Sequence, residues 1–161
     1  MVSWEPRSFE RVLGFGDGRS ARKEMYGVDW KLEVVPIPVA DVDVAKQFYS
    51  ERLGFVVDHD TQISEYSRIV QLTPPGSACS VVLGAPTGTA PGSVRGVQLV
   101  VPDIEAARAE LAGRGVEVSG VYHYRADGAL AEGGGGPWNA FVSFDDPDGN
   151  GWILQERPPE G

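Results

Sequence analysis

A weak internal repeat constrains this chain more than any other feature. Setting VADVDVAKQFYSERLGFVV (residues 39–57) above VPDIEAARAELAGRGVEV (residues 101–118) brings Val39, Asp41, Ala45 and Arg52 onto Val101, Asp103, Ala107 and Arg114. Val42 falls on Ile104, Asp43 on Glu105 and Lys46 on Arg108, and only Leu53 lacks a counterpart. In each copy an aspartate, Asp41 or Asp103, stands where its side chain can accept the first free helix N–H groups. Val42, Ala45 and Tyr49 then recur at helical spacing, as do Ile104, Ala107 and Leu111. Gly54 and Gly115 stand where a left-handed terminator is needed. An apolar strand precedes each cap, at residues 32–39 and 96–101.

The second halves of the copies also match. Residues 67–83 align with 139–155, so that Val70, Leu72 and Pro75 meet Val142, Phe144 and Pro147, while Val81 and Val82 meet Ile153 and Leu154. Each segment reads as two strands around a Pro/Gly turn. The hairpins repeat at a wider interval than the helices, and the surplus is a longer loop, YRADGALAEGGGGPW, at residues 124–138. Each copy is therefore βαβββ, and neither can bury a helix and a curved sheet alone. The expected class is α+β: two βαβββ modules forming a shared curved mixed sheet around a ligand cavity.

Module one is expected at residues 31–86, a Gly/Pro linker at 87–94, module two at 95–157 and a tail at 158–161. Residues 1–30 form an arm rich in aromatics (Trp4, Phe9, Phe15, Tyr26, Trp30), expected to carry a short helix at 6–13 and to pack on the body or on a partner subunit. That leaves a homodimer open. GFGDGRS at 14–20 reads as a turn, because no strand precedes it and no Lys-Ser/Thr follows.

A formal charge of −9 without Lys/Arg clusters argues against nucleic acid, whose phosphates reward basic patches. The acidity aids solubility and would tolerate a cationic small molecule. A single cysteine excludes an internal disulfide and fits a reducing compartment. No stretch approaches the roughly 20 apolar residues of a membrane span, and charged residues occupy the N-terminus where a signal peptide would be apolar. No membrane association and a cytoplasmic location are expected.

The two helix motifs, together with DPDGNGWILQE before the end of the second copy, resemble the vicinal-oxygen-chelate superfamily of glyoxalase I, extradiol dioxygenases and bleomycin-resistance proteins. The resemblance covers about residues 31–157. It implies four metal-ligand positions on the concave sheet face, one on the first and one on the last strand of each module. Carried over, these fall on Val34, Val81 (Val82 if the register slips by one), Gly96 and Ile153. None of these side chains can bind a divalent ion, which needs imidazole or carboxylate. No metal and no cofactor are expected.

Strand alternation sorts the rest. Val35, Ile37, Val39, Val70, Leu72, Val82, Val97, Leu99, Val101, Val142, Phe144, Trp152 and Leu154 form the expected helix-facing side. Pro36, Ile69, Gln71, Cys79, Val81, Leu83, Gln98, Val100, Phe141, Ser143, Ile153 and Gln155 form the other, a mixture suited to a cavity wall. Gln71, Gln98 and Gln155 could orient carbonyls and hydroxyls. Tyr122, Tyr124 and Trp138 flank the long loop and could stack on a planar ligand, and the run of glycines at 133–136 suggests a lid. His123 is the candidate acid/base, because imidazole as a side-chain class suits proton transfer near neutrality. Cys79 reads as a structural thiol.

Three functions remain open. The first is a metal-independent protein that binds a drug or metabolite in a cavity between the modules. The second is a metal-free isomerase, lyase or cyclase on a carbonyl or polyketide-like substrate, using His123. The third is a regulatory or scaffold subunit with a vestigial pocket.

Overall fold

The computed structural model describes Val28 and residues 30–159, and from Leu32 onward the described residues form one compact unit. The expected helix at 6–13, the turn at 14–20 and all of the arm but Val28 and Trp30 lie outside the described residues. The first repeat supplies β1 (Val34–Pro36), helix α1 (Val42–Gln47) continuing into a π-helical turn (Phe48–Arg52), β2 (Val56–Ser64), β3 (Ser67–Thr73) and β4 (Ser80–Leu83). The second supplies β5 (Val97–Val101), α2 (Ile104–Gly113), β6 (Tyr122–Tyr124), β7 (Leu130–Glu132), β8 (Phe141–Asp145) and β9 (Gly151–Glu156). The first sheet runs β1-β4-β3-β2 and the second β5-β9-β8-β6-β7. In both, the first strand lies parallel to the last and the other pairs are antiparallel. β7 is the extra strand, formed by the longer loop of the second repeat.

The helix ends follow from the sequence. Asp41 accepts from the backbone N–H groups of Asp43 and Val44 at 2.9 and 3.1 Å, and Asp103 from that of Ala106 at 2.9 Å. Gly54 and Gly115 take φ of 75° and 76° at the opposite ends. There the repeat folds back on itself. Arg52 donates to the Arg114 carbonyl and Arg114 donates to the Arg52 carbonyl, so each copy's arginine caps the other copy's last turn.

The repeats share their helix-side faces. Ile37, Ala45, Tyr49, Val70, Leu72 and Leu83 of the first copy join Ile104, Val142, Phe144, Trp152 and Leu154 of the second in one core. Its polar link is the Asp-Pro-Asp-Gly-Asn turn before β9. Asp146 accepts from Tyr49 Oη at 2.7 Å and from Asn150 Nδ2 at 2.8 Å, Asn150 Nδ2 reaches the Pro38 carbonyl at 2.9 Å, and Trp152 Nε1 donates to Tyr49 Oη at 3.0 Å. Burial, reinforced by Asp146, pushes the Tyr49 phenol well above its usual range, so it stays a donor. No buried side-chain nitrogen or oxygen among the described residues lacks a partner.

The expected shared sheet is divided in two: core packing joins the repeats, and among the described residues no ladder does. Pro36 and Pro38 remove two donors from the first strand segment, and Ile37 between them donates to Val82 O at 2.9 Å.

The alternation expected for β4 is corrected. Leu72 pairs with Val81 and Val70 with Leu83, all four buried in the core, whereas Val82 pairs with Gln71 on the outer face. The cause is turn length. Leu72 pairs with Val81 across the first hairpin and Phe144 with Trp152 across the second, so the first connection is one residue longer. A one-residue change exchanges the faces of every following side chain.

Candidate functional site

With the helix-side faces joined, the outer faces hold the sequence's candidate residues. In the second sheet, register places them in rows. Tyr122, Phe141, Gln155 and Val100 are successive neighbours across β6, β8, β9 and β5; Ser143, Ile153 and Gln98 form the adjoining row. Seven candidates, Gln98, Tyr122, Tyr124, Phe141, Ser143, Ile153 and Gln155, therefore share one face.

The rings form a cluster. Phe141 stacks on Tyr122 with centroids 5.8 Å apart and meets Tyr124 edge-on at 5.5 Å, while the two tyrosines meet edge-on at 6.2 Å. Partial burial raises the Tyr122 phenol pKa, the Tyr124 phenol adds to the rise, and a hydrogen bond with Ser143 opposes it. Beside the rings, Gln98 Nε2 donates to Gln155 Oε1, and Gln155 Nε2 donates to the Trp138 carbonyl at 2.7 Å. Trp138 is tied to the wall through its backbone and is the non-glycine residue with positive φ (60°) among the described residues. At the foot of this face a cavity of about 700 Å³ opens, lined by Arg95, Gly96, Glu117, Asp145 and, from the same rows, Ser143 and Ile153.

Two candidates stand elsewhere. His123 lies between Tyr122 and Tyr124 and alternates to the opposite side of β6, where Nδ1 is 2.9 Å from the Gly133 carbonyl. The loop expected as a lid contains β7 and is tied down beyond it. Asn139 brackets the Tyr124 backbone, accepting from its N–H at 3.0 Å and donating to its carbonyl at 2.9 Å. Gly135 lies against His123, and a Cβ there would come within 2.6 Å of Asn139 Nδ2 and 2.8 Å of the His123 ring.

Gln71 belongs to the first sheet. Its Nε2 lies 3.1 Å from Ser80 Oγ, which lies 2.7 Å from Thr73 Oγ1, which in turn bonds Asp58. Sequence reasoning missed Ser80, Thr73 and Asp58. Thr73 follows Gln71 by two residues in one strand, so alternation alone could have placed it. Ser80 was hidden by the β4 register. Cys79 is half-buried, with Sγ 3.6 Å from the Ser80 carbonyl.

A family model matches residues 31–154, nearly the whole repeat. The chain belongs to the glyoxalase/bleomycin resistance protein/dioxygenase superfamily. It is 34% identical to TnmS3, an antibiotic binding protein from Streptomyces sp. CB03234, over 81% of this chain and 98% of that one, with a TM-score of 0.65. A glyoxalase/bleomycin resistance protein from the same strain is 35% identical over 78% and 99% of the two chains, with a TM-score of 0.61. The uncharacterized protein YetH of Bacillus subtilis (strain 168) is 27% identical over 129 residues, 78% of this chain and 98% of that one.

The ligand positions of chelating superfamily members can now be located. Val34 lies beside Ser80, Val82 takes the outer position assigned above to Val81, and Ile153 lies beside Gln98, with Gly96 just before β5. Amides, a hydroxyl and aliphatic carbons do not fit a divalent ion that takes imidazole and carboxylate. Among the described residues, no three of His, Cys, Asp and Glu stand close enough to hold one. No helix among them is long and apolar enough to cross a membrane.

Proposed function

We propose that this superfamily member binds a small, planar organic molecule, a drug or metabolite, on the outer face of its second repeat, without a metal and without changing it chemically. The observation that carries this is the Tyr122–Tyr124–Phe141 cluster set beside the Gln98–Gln155 pair and above the cavity. Rings offer flat apolar area, and the amides offer a donor and an acceptor at its edge, the mixture a ligand site needs. The likeness to an antibiotic binding protein supports the same reading.

The face is open in a single chain: Val100 and Tyr124 are about half exposed. We propose that a second copy covers it, making the protein a homodimer. Its mass in solution tests that directly, and a monomer at micromolar concentration would count against it.

Titration with 2-naphthamide, followed by tyrosine and tryptophan fluorescence, tests the binding face. Saturable binding is expected, weakened in Phe141→Ala. Binding that is unaffected by Phe141→Ala and Tyr122→Ala together would contradict it. His123 separates binder from enzyme. His123→Ala is expected to leave a bound molecule chemically unchanged, as the wild type does, whereas turnover by the wild type that the variant loses would establish the isomerase, lyase or cyclase reading.

A further inference from the structure

The two helices of the repeat pack against unequal neighbours. Beside the first, rings fill the core: Tyr49, fully buried, has its centroid 5.6 Å from that of Trp152 and 5.8 Å from that of Phe55, and its hydroxyl is held by Asp146 and Trp152. The repeat places Leu111 of α2 where Tyr49 stands, Leu99 where Ile37 stands and Pro74 where Asp146 stands. Register adds Val81 in place of Trp152 and Leu154 in place of Leu83. A phenol has become a leucine and an indole a valine. Interiors tolerate few voids larger than a water molecule, yet here the lost rings have not been replaced.

A cavity of about 180 Å³ lies beside α2, and its walls include those counterparts, Leu99, Leu111, Leu154 and Pro74, together with Phe55 and Phe144. Size and chemistry decide what it takes. An apolar cavity of about 150 Å³ walled by Leu, Ile and Phe stays dry and accepts benzene, so this one has room for one aromatic ring with a small substituent. Phe55 and Phe144 offer that ring aromatic partners. Glu110 and Arg114, both partly exposed, form its polar edge; they pair at 2.5 Å, and Arg114 also donates to the Arg52 carbonyl at 3.3 Å. Their charges match, so the edge favours a neutral polar group over an ion. The side chains that hold the Tyr49 hydroxyl have only apolar counterparts here, Pro74 and Val81, so a hydroxyl on that side of the ring would find no such partners.

We propose that the cavity beside α2 is a second binding site, which takes a single aromatic ring of a neutral small molecule in the place that Tyr49 fills in the other repeat, with the apolar side of the ring at Pro74 and its polar substituent at Glu110 and Arg114. Leu99 and Leu154 line it from the helix side of the second sheet, so it stands on its own residues and not on the aromatic outer face.

The test uses the full chain, labelled with ¹³C at the leucine methyls and titrated with benzyl alcohol. The Leu99 and Leu154 methyl signals are expected to shift saturably as the ring enters. 4-Hydroxybenzyl alcohol, which has a hydroxyl at each end of the ring, should bind about tenfold or more weakly, the cost of a buried hydroxyl without a partner. Leu111→Phe puts the chain's own ring into the space, as the first repeat does, and should abolish the response. Ala107→Met fills the same cavity from one turn earlier in α2 and takes its place if Leu111→Phe does not fold. Methyl signals that ignore benzyl alcohol, equal affinity for the two alcohols, or a response that survives in a folded filling variant overturns the proposal. The Tyr122 and Phe141 ring protons report the outer face in the same samples, so the two sites stand or fail separately.

Discussion

On the outer face, the row Pro36, Val82 and Gln71 of the first repeat is matched by Gln98, Ile153 and Ser143 of the second; Thr73 and Ser80 of the first have Asp145 and Gly151 as counterparts, and Phe141 of the second has Ile69. Turned over, the two sheets look alike. Val70, Leu72, Val81 and Leu83 correspond to Val142, Phe144, Trp152 and Leu154, and both sets are buried in the common core. The duplicated pattern has been kept where the copies must pack on each other and lost where they face away. Close packing explains the first: volume changes are felt in a dense interior. The outer faces are free of that constraint, and there one repeat carries a tyrosine cluster and the other a chain of hydroxyls.

This contrast can be broken at neighbouring residues. In β9, Trp152 is fully buried and Ile153 half-buried. Trp152→Ala removes the ring contacts to Tyr49, Phe55 and Phe144 and the bond to Tyr49, and should cost about 3–5 kcal/mol in denaturant unfolding. Ile153→Ala should cost roughly half as much or less. Equal losses would mean that the two faces are not energetically distinct.

β4 offers the same comparison at smaller scale. Val81→Ser places a hydroxyl in the core and should cost about 1–3 kcal/mol, against under about 1 kcal/mol for Val82→Ser on the outer face. A reversed order would restore the alternation read from the sequence alignment.

On the second repeat's outer face, the expectation concerns binding more than folding. Phe141→Ala removes the ring that both tyrosines contact, and 2-naphthamide affinity should fall by roughly 0.5–1.5 kcal/mol from the lost ring contacts. Isothermal titration reads this, with the melting temperature as a control for folding.

The smallest effect is on the surface. Arg68, then Lys46, hydrogen-bond Asp60 and hold its carboxyl well below the usual range. A carboxyl whose folded pKa is depressed contributes stability above its unfolded value of about 4 and loses it as pH falls through the folded value. Asp60→Asn should therefore flatten the fall in melting temperature below pH about 4, slightly, because the pair is exposed to water.

The fold was legible because the repeat carries its own punctuation. Asp41 and Asp103 cap, Gly54 and Gly115 terminate, and both recur at matching places with the predicted conformations. The rows of the second outer face were legible too, since β5, β8 and β9 alternate without interruption. Three things were not. The register of β4 depended on one added residue in a turn, which an alignment of short apolar strands cannot count. The side on which His123 falls depended on β7, a strand drawn from a loop whose glycines signalled mobility more loudly than pairing. The π-helical turn that carries Tyr49 onto Trp152 likewise has no sequence signature; it follows from the aromatic and hydrogen-bonding contacts it makes across the core.

The central claim, that the second repeat's outer face holds a small organic molecule without a metal and without turnover, is tested most directly by native mass spectrometry of the untagged full-length protein purified from its own host. The spectrum should show an added organic mass that is released intact on denaturation, absent from a Tyr122→Ala/Phe141→Ala double variant prepared in the same way, with no stoichiometric zinc, nickel, iron or manganese. An added mass that the double variant retains, or about one tightly held metal per chain, would contradict it.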